Sequence, residues 1–291
     1  MPKPLTEYTA ADWSHLRPVL HGIKRWRYAR VTDAYVQQPA RRGDVAALRT
    51  CITGRRLLTT IAFNDPEIVE RQLLAVRRFV PGPIHLIADN SQDDALARDI
   101  EAICEALGAP YLRLPANPWT RRESASRSHG AALDWIWRQL VQPGRPDAFG
   151  FLDHDLIPTA PCDPFEPLAR QPVHGDKRWA GPRWFLWAGY CFFRTDFLDR
   201  TRVDFSQDWF AGLDTGGGNW EAIYSRMDPE ALEERPISRI AIVPQAPVDE
   251  CYVERRGCWL HEVGFDDRPD LKAEKRAGFL AMVDAAIGPP T

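Results

Sequence analysis

From residue 57 onward the chain alternates short apolar runs with longer stretches in which apolar residues recur every three or four positions. Residues 57–63 are β-branched and apolar and stop at Asn64-Asp65-Pro66. Pro66 then suits the first turn of a helix over 67–79, with Ile68, Gln72, Val76 and Phe79 on neighbouring rows. Residues 84–88 repeat the pattern: a strand ends at Asp89-Asn90-Ser91, and a helix over 93–107 carries Leu96, Ile100, Ile103 and Leu107 before Gly108. A third strand is expected at 111–114, a helix at 126–141, and a fourth strand at 148–152 running into Asp153-His154-Asp155. Strands that alternate with helices predict an α/β protein with a parallel sheet. Beyond residue 160 the regularity fades into a proline-punctuated stretch. One or two buried strands are expected over 183–194, a Gly-rich loop entering a helix over 214–226, a strand over 239–243 and an amphipathic helix over 269–287.

Composition changes this picture little. The 291 residues carry a net charge of −3, which excludes the polycationic field that dominates nucleic-acid binding. The charge is unevenly spread: residues 1–56 hold eleven Lys/Arg and sum to +7, leaving −10 for the rest. This basic N-terminal extension, with Trp13, Trp26, Tyr28 and Tyr35 interleaved, reads as a solvated face. Its charge also suits peripheral contact with anionic lipid headgroups or a phosphorylated acceptor. The six cysteines are scattered without metal-ligand spacing, the start has no apolar signal-peptide core, and the run 184–193 is too short to span a bilayer. These features predict a cytoplasmic protein with reduced thiols.

In parallel sheets ligands bind beyond the carboxyl ends of the strands. That rule gathers Asn64-Asp65, Asp89 and the Asp153-His154-Asp155 turn into one place. Two carboxylates separated by one residue after a buried strand offer hard oxygen ligands to Mg²⁺ or Mn²⁺, although an Asp-rich turn is also an ordinary way to end a strand.

The order of 59–65, Leu86-Ile87-Ala88-Asp89-Asn90-Ser91, Ser128-His129-Gly130-Ala131-Ala132-Leu133-Asp134 and Phe151-Leu152-Asp153-His154-Asp155 resembles family 2 glycosyltransferases of the GT-A fold. The resemblance is good over 57–160 and looser afterwards. It implies a Rossmann-like, mixed and mostly parallel sheet flanked by helices in a single domain. Residues 57–160 would form a nucleotide-sugar-binding half and 161–291 an acceptor-binding half. It further implies that Phe63, Asn64, Asp65 and Asp89 hold the base and ribose, that Asp155 ligates the metal directly, and that Asp153 contacts ribose or metal-bound water. His261 is the candidate for completing the metal shell from far downstream, and imidazole suits Mn²⁺. A core or surface histidine is the alternative reading of His261, and His154 is expected to face solvent or the wall.

Inverting transfer needs a carboxylate base across the sugar from the metal. The Glu-Asp pair that the family places there is absent from this chain. Asp214, before Thr215-Gly216-Gly217-Gly218, is the nearest equivalent, with Asp208 and Glu221 as alternatives and a simple loop cap as the structural one. Trp209, Trp220 and Trp187 are the candidates for an acceptor platform, because sugar C–H faces pack on aromatic rings. Arg121, Arg122 and Arg127 suit either diphosphate or solvent. The expected function is metal-dependent transfer of a sugar from a UDP- or GDP-type donor to a hydroxyl acceptor. The alternative is a non-catalytic nucleotide- or carbohydrate-binding protein of the same fold.

Overall fold

A computed structural model describes residues 5–121, 125–199, 201–234, 236–242, 251–263 and 269–288. Strand β1 (Arg56–Ala62) is buried on both sides, and its alternation sorts the layers. Leu57 and Ile61 join Leu86, Phe149, Phe151, Trp135 and Ile136 in one apolar cluster, while Leu58 joins Ile68, Val76, Phe79 and Phe279 in another. Helix Ala125–Ile136 therefore covers one face, and helices Pro66–Phe79 and Lys272–Ile287 contribute to the other.

Strands β2 (Ile84–Asp89), β3 (Tyr111–Arg113) and β4 (Ala148–Asp153) run parallel to β1. After them come β5 (Leu156–Pro158), β6 (Val173–Ala180) and β7 (Arg183–Arg194). The main sheet has the order β3-β2-β1-β4-β7-β6, in which only β7 runs against the others. This mixed, mostly parallel sheet flanked by helices is the α/β architecture that the resemblance implied. Strands β8 (Ile237–Ala241), β9 (Tyr252–Arg256) and β10 (Trp259–His261) form a second, antiparallel sheet with β5, in the order β5-β10-β9-β8.

Several expected elements differ. The stretch 183–194 is one strand, and the helix over 126–141 is α-helical only to Ile136, with a π turn over Trp137–Val141. Residues 214–226 form no α-helix. They make 3₁₀ turns at Gly217–Asn219 and Tyr224–Arg226, because three successive glycines disfavour helix and Gly216 sits at φ 96°. The strand expected at 239–243 starts at Ile237; Val243 lies outside the described residues.

The N-terminal extension is largely helical and docks on the sheet's helical layer. Helix Arg17–Val36 turns Pro18, His21, Arg25, Tyr28 and Tyr35 inward. Tyr35, Val36 and Ile52 enter the main apolar cluster. The Trp135 indole donates to Gln38 O at 2.9 Å, and Arg25 and Arg138 pair with Asp208 and Asp33 at 2.6 and 2.7 Å.

Candidate functional site

Strands β1, β2 and β4 end along one edge of the sheet, where a cleft of about 570 Å³ opens. This is within the range of pockets that enclose small ligands, roughly 300–1,000 Å³. Its walls include Phe63 and Asn64 after β1, Asn90 and Gln92 after β2, and Asp153, His154 and Asp155 after β4; Trp187 and Asp214 face them.

The Asp153-His154-Asp155 turn is anchored from behind. The buried Gln72 amide on helix Pro66–Phe79 donates to Asp153 O at 2.7 Å and Leu156 O at 2.9 Å, and its Oε1 accepts from Thr60 Oγ1 at 2.7 Å. Gln72→Ala orphans both carbonyls, so unfolding in urea is expected to show a loss of about 2–3 kcal/mol.

His261 reaches the same turn by strand pairing. β10 lies antiparallel to β5 with His261 opposite Leu156, the residue after Asp155, and Glu262 N donates to Asp155 O at 3.2 Å. His261 Nε2 thereby comes within 3.6 Å of Asp155 Oδ1, and its Nδ1 within 3.6 Å of Glu254 Oε2. Burial opposes charging of His261, but the two carboxylates outweigh it and raise the imidazole's pKa. Burial likewise opposes ionisation of Asp155, and His261 outweighs it and holds that carboxyl well below the usual range. Glu254, held by Arg256, is lowered to about 2: its burial is outweighed by the His261 and Arg256 bonds.

One ligand atom from each of Asp153, Asp155 and His261 lies within 4.8 Å of the others, and this donor set fits a divalent cation. Two features of the surroundings agree with it. The buried Nδ1 of His261 has no hydrogen-bond partner but faces Glu254, the arrangement in which a carboxylate orients a ligating imidazole. Gly189 leaves room beside the turn, since a Cβ there would meet Asp153 Oδ2 at 2.5 Å and the Trp187 ring at 2.2 Å.

The remaining sequence candidates divide. Phe63 and Asn64 line the cleft. Asn64, at φ 51°, also ties the first two strand ends together by accepting from Gln92 N and Asp93 N at 3.0 and 3.1 Å. Asp65 is not among the lining residues; it caps helix Pro66–Phe79 and pairs with Arg276 at 2.8 Å. Asp89 is wholly buried behind the cleft, where it accepts from Arg113 at 2.5 Å, Tyr111 OH at 2.8 Å and Ser91 N at 2.8 Å.

Asp214 lines the cleft with an exposed side chain that accepts from its neighbour Thr215 N at 2.8 Å. Asp208 is occupied by Arg25. Trp187 lines the cleft and packs on His261 at 4.9 Å, whereas Trp220 packs against the main core. The exposed Trp209 lines a second cavity of about 130 Å³, which shares the Trp119 wall with the cleft. His154 lines the wall, as expected. Arg121 also lines the cleft, Arg127 stacks over Tyr28 at 3.6 Å, and Arg122 lies outside the described residues.

Sequence reasoning missed Asn90, Ser128, Trp119 and Thr215, and it underweighted His129, whose Nε2 lies 3.4 Å from Asp153 Oδ1. Asn90 and Ser128 stand inside the very segments that carry the resemblance, and they are joined by a 3.0 Å hydrogen bond.

No family model and no curated protein matches the chain. Among solved structures it is similar to a mannosyltransferase from Pyrobaculum calidifontis in complex with GDP-Man and Mn²⁺, at 15% identity and TM-score 0.38, covering 62% of this chain and 55% of that one. It is also similar to glucosyl-3-phosphoglycerate synthase from Mycobacterium tuberculosis in complex with phosphoglyceric acid, at 19% identity and TM-score 0.33, covering 55% of this chain and 64% of that one. The matched parts thus span less than two thirds of either protein's length.

Proposed function

We propose that this chain is a metal-dependent glycosyltransferase of the GT-A type that moves a sugar, with inversion, from a nucleoside-diphosphate donor to a hydroxyl acceptor. The observation that carries this reading is the convergence of Asp153, Asp155 and His261 beside the carboxyl end of β4, where Asp153 and Asp155 line a cleft that also holds Asp214. A divalent cation held by those three side chains, Mn²⁺ suiting the imidazole best, would supply positive charge against the diphosphate leaving group.

The chain's own groups have distinct tasks in this reading. The half-exposed Phe63 ring offers an apolar surface to the base, and the Asn64 loop and Asp153 offer polar groups to the ribose. Among the described residues, Asp214 is the one carboxylate lining the cleft outside the cation cluster. As general base it takes the acceptor hydroxyl's proton while that oxygen attacks the anomeric carbon. Trp187 bounds the sugar side of the cleft, and Trp209 in the adjoining cavity offers a ring to the far part of the acceptor.

Asp214→Asn is expected to lower turnover of UDP- or GDP-sugars by ~10²–10⁴-fold while leaving nucleotide affinity within about twofold. Because the family's Glu-Asp pair is missing, a non-catalytic binding protein is the second reading. It predicts donor binding with no turnover in the unaltered chain.

A further inference from the structure

Helix Arg17–Val36 presents a second face that the fold does not use. Its inward side chains recur at Pro18, His21, Arg25, Tyr28 and Thr32, and on the opposite side stand Leu16, just before the helix, then Val19, Leu20, Ile23 and Trp26. These five are between 50% and 65% exposed, and Leu5 and Trp13, on the turns before the helix, are exposed as well. Seven of the twelve large hydrophobic residues that are exposed among the described residues therefore lie between positions 5 and 26. Scattered exposed apolar side chains need no explanation, but a contiguous row on one helix does.

Charge identifies the occupant. Lys24, Arg27 and Arg30 are exposed beside and beyond the apolar row, and the Arg30 guanidinium lies 5.7 Å from the Trp26 ring. The acids of residues 5–36 are already engaged: Glu7 with Arg183, Asp12 with Arg17 and Asp33 with Arg138. A second copy of the chain meeting this face would bring two sets of these cations into one interface, and residues 5–36 hold no unpaired acid to balance them. An apolar row carrying a tryptophan and flanked by arginine and lysine is instead the composition of a helix lying in the interface of a bilayer. No helix among the described residues is long and apolar enough to cross one.

We propose that the outer face of helix Arg17–Val36, with Leu16, Val19, Leu20, Ile23 and Trp26 inserted and Lys24, Arg27 and Arg30 on the headgroups, docks this protein on an anionic lipid surface. The docked face is opposite the one that packs against helix Ala125–Ile136, so binding needs no rearrangement of the fold. It also needs neither nucleotide nor metal and stands apart from the proposed activity.

The test is co-sedimentation of the full chain with vesicles of phosphatidylcholine alone or mixed with phosphatidylglycerol. Binding to the anionic vesicles is expected to exceed that to the neutral ones by about tenfold or more and to weaken in high salt. The double variant Ile23→Asp, Trp26→Asp should lose about tenfold or more, and Arg27→Glu, Arg30→Glu should lose the preference for anionic lipid. Both pairs are exposed, so an unchanged thermal midpoint shows that the fold is kept. Absence of binding to the anionic vesicles, or binding that both variants retain, overturns the proposal. So does a dimer in ultracentrifugation that Ile23→Asp, Trp26→Asp dissociates and that ignores vesicles, because the face would then belong to a second copy.

Discussion

Asp155→Ala is expected to abolish the Mn²⁺-dependent part of nucleoside-diphosphate binding. In calorimetric titrations of UDP and GDP, the unaltered protein should bind one of them far more tightly with Mn²⁺ than without. The variant should lose about 100-fold or more in that metal-dependent affinity, or roughly 2.7 kcal/mol. Asp155 is the hinge of the cluster because it belongs to the turn at the end of β4 and also faces His261 across the second sheet. Its removal takes a hard oxygen donor from the cluster. His261→Ala should give a loss in the same direction. Nucleotide binding that is equal with and without Mn²⁺ in the unaltered chain would sink the metal site, and no binding of either nucleotide would sink the proposed function.

Asp89→Ala should be the most destabilising single change among the sequence-selected residues. Asp89 and Arg113 are both buried, and the carboxylate serves three donors at once. Truncation leaves a guanidinium in the interior with only Ser91 O and Asp94 as partners and takes from the Tyr111 hydroxyl its 2.8 Å acceptor. A loss of about 3–5 kcal/mol is expected in denaturant unfolding of nucleotide-free protein. That readout separates the scaffold role from the nucleotide contact that the family resemblance implies: a loss under about 1 kcal/mol, with weakened nucleotide binding, would favour the contact.

The contrast between Asp89 and Asp153 shows where sequence reasoning reaches. The parallel half was legible because β1, β2 and β4 are short apolar runs, each ended by polar residues, and a strand end is where such sheets bind ligands. Position along a strand does not reveal which way its last side chain turns. Asp89 turns to Arg113 on the neighbouring β3, while Asp153 turns to the cleft.

The second sheet was mostly illegible for a different reason. β5 and β10 are three residues each, and β9 buries Glu254 and Arg256 in an ion pair rather than showing an apolar alternation. No periodicity marks such strands, so His261 was reached through resemblance and not through pattern. In the N-terminal segment the charge count hid the organisation, because the basic residues serve two faces. Arg25 fastens the helix to Asp208, and Arg27 and Arg30 face outward.

The pairing of β10 with β5 also imposes an order on biosynthesis. A ribosome delivers the parallel half, up to the turn at Asp153 and Asp155, well before the segment that carries His261 emerges. A nascent chain halted between the two has the pair of carboxylates on a turn, with His129 near Asp153, but lacks the His261 imidazole. On the proposed reading, tight capture of a cation would belong to the chain whose last strand has been laid down, and uptake of Mn²⁺ during refolding would serve as a clock for that final step.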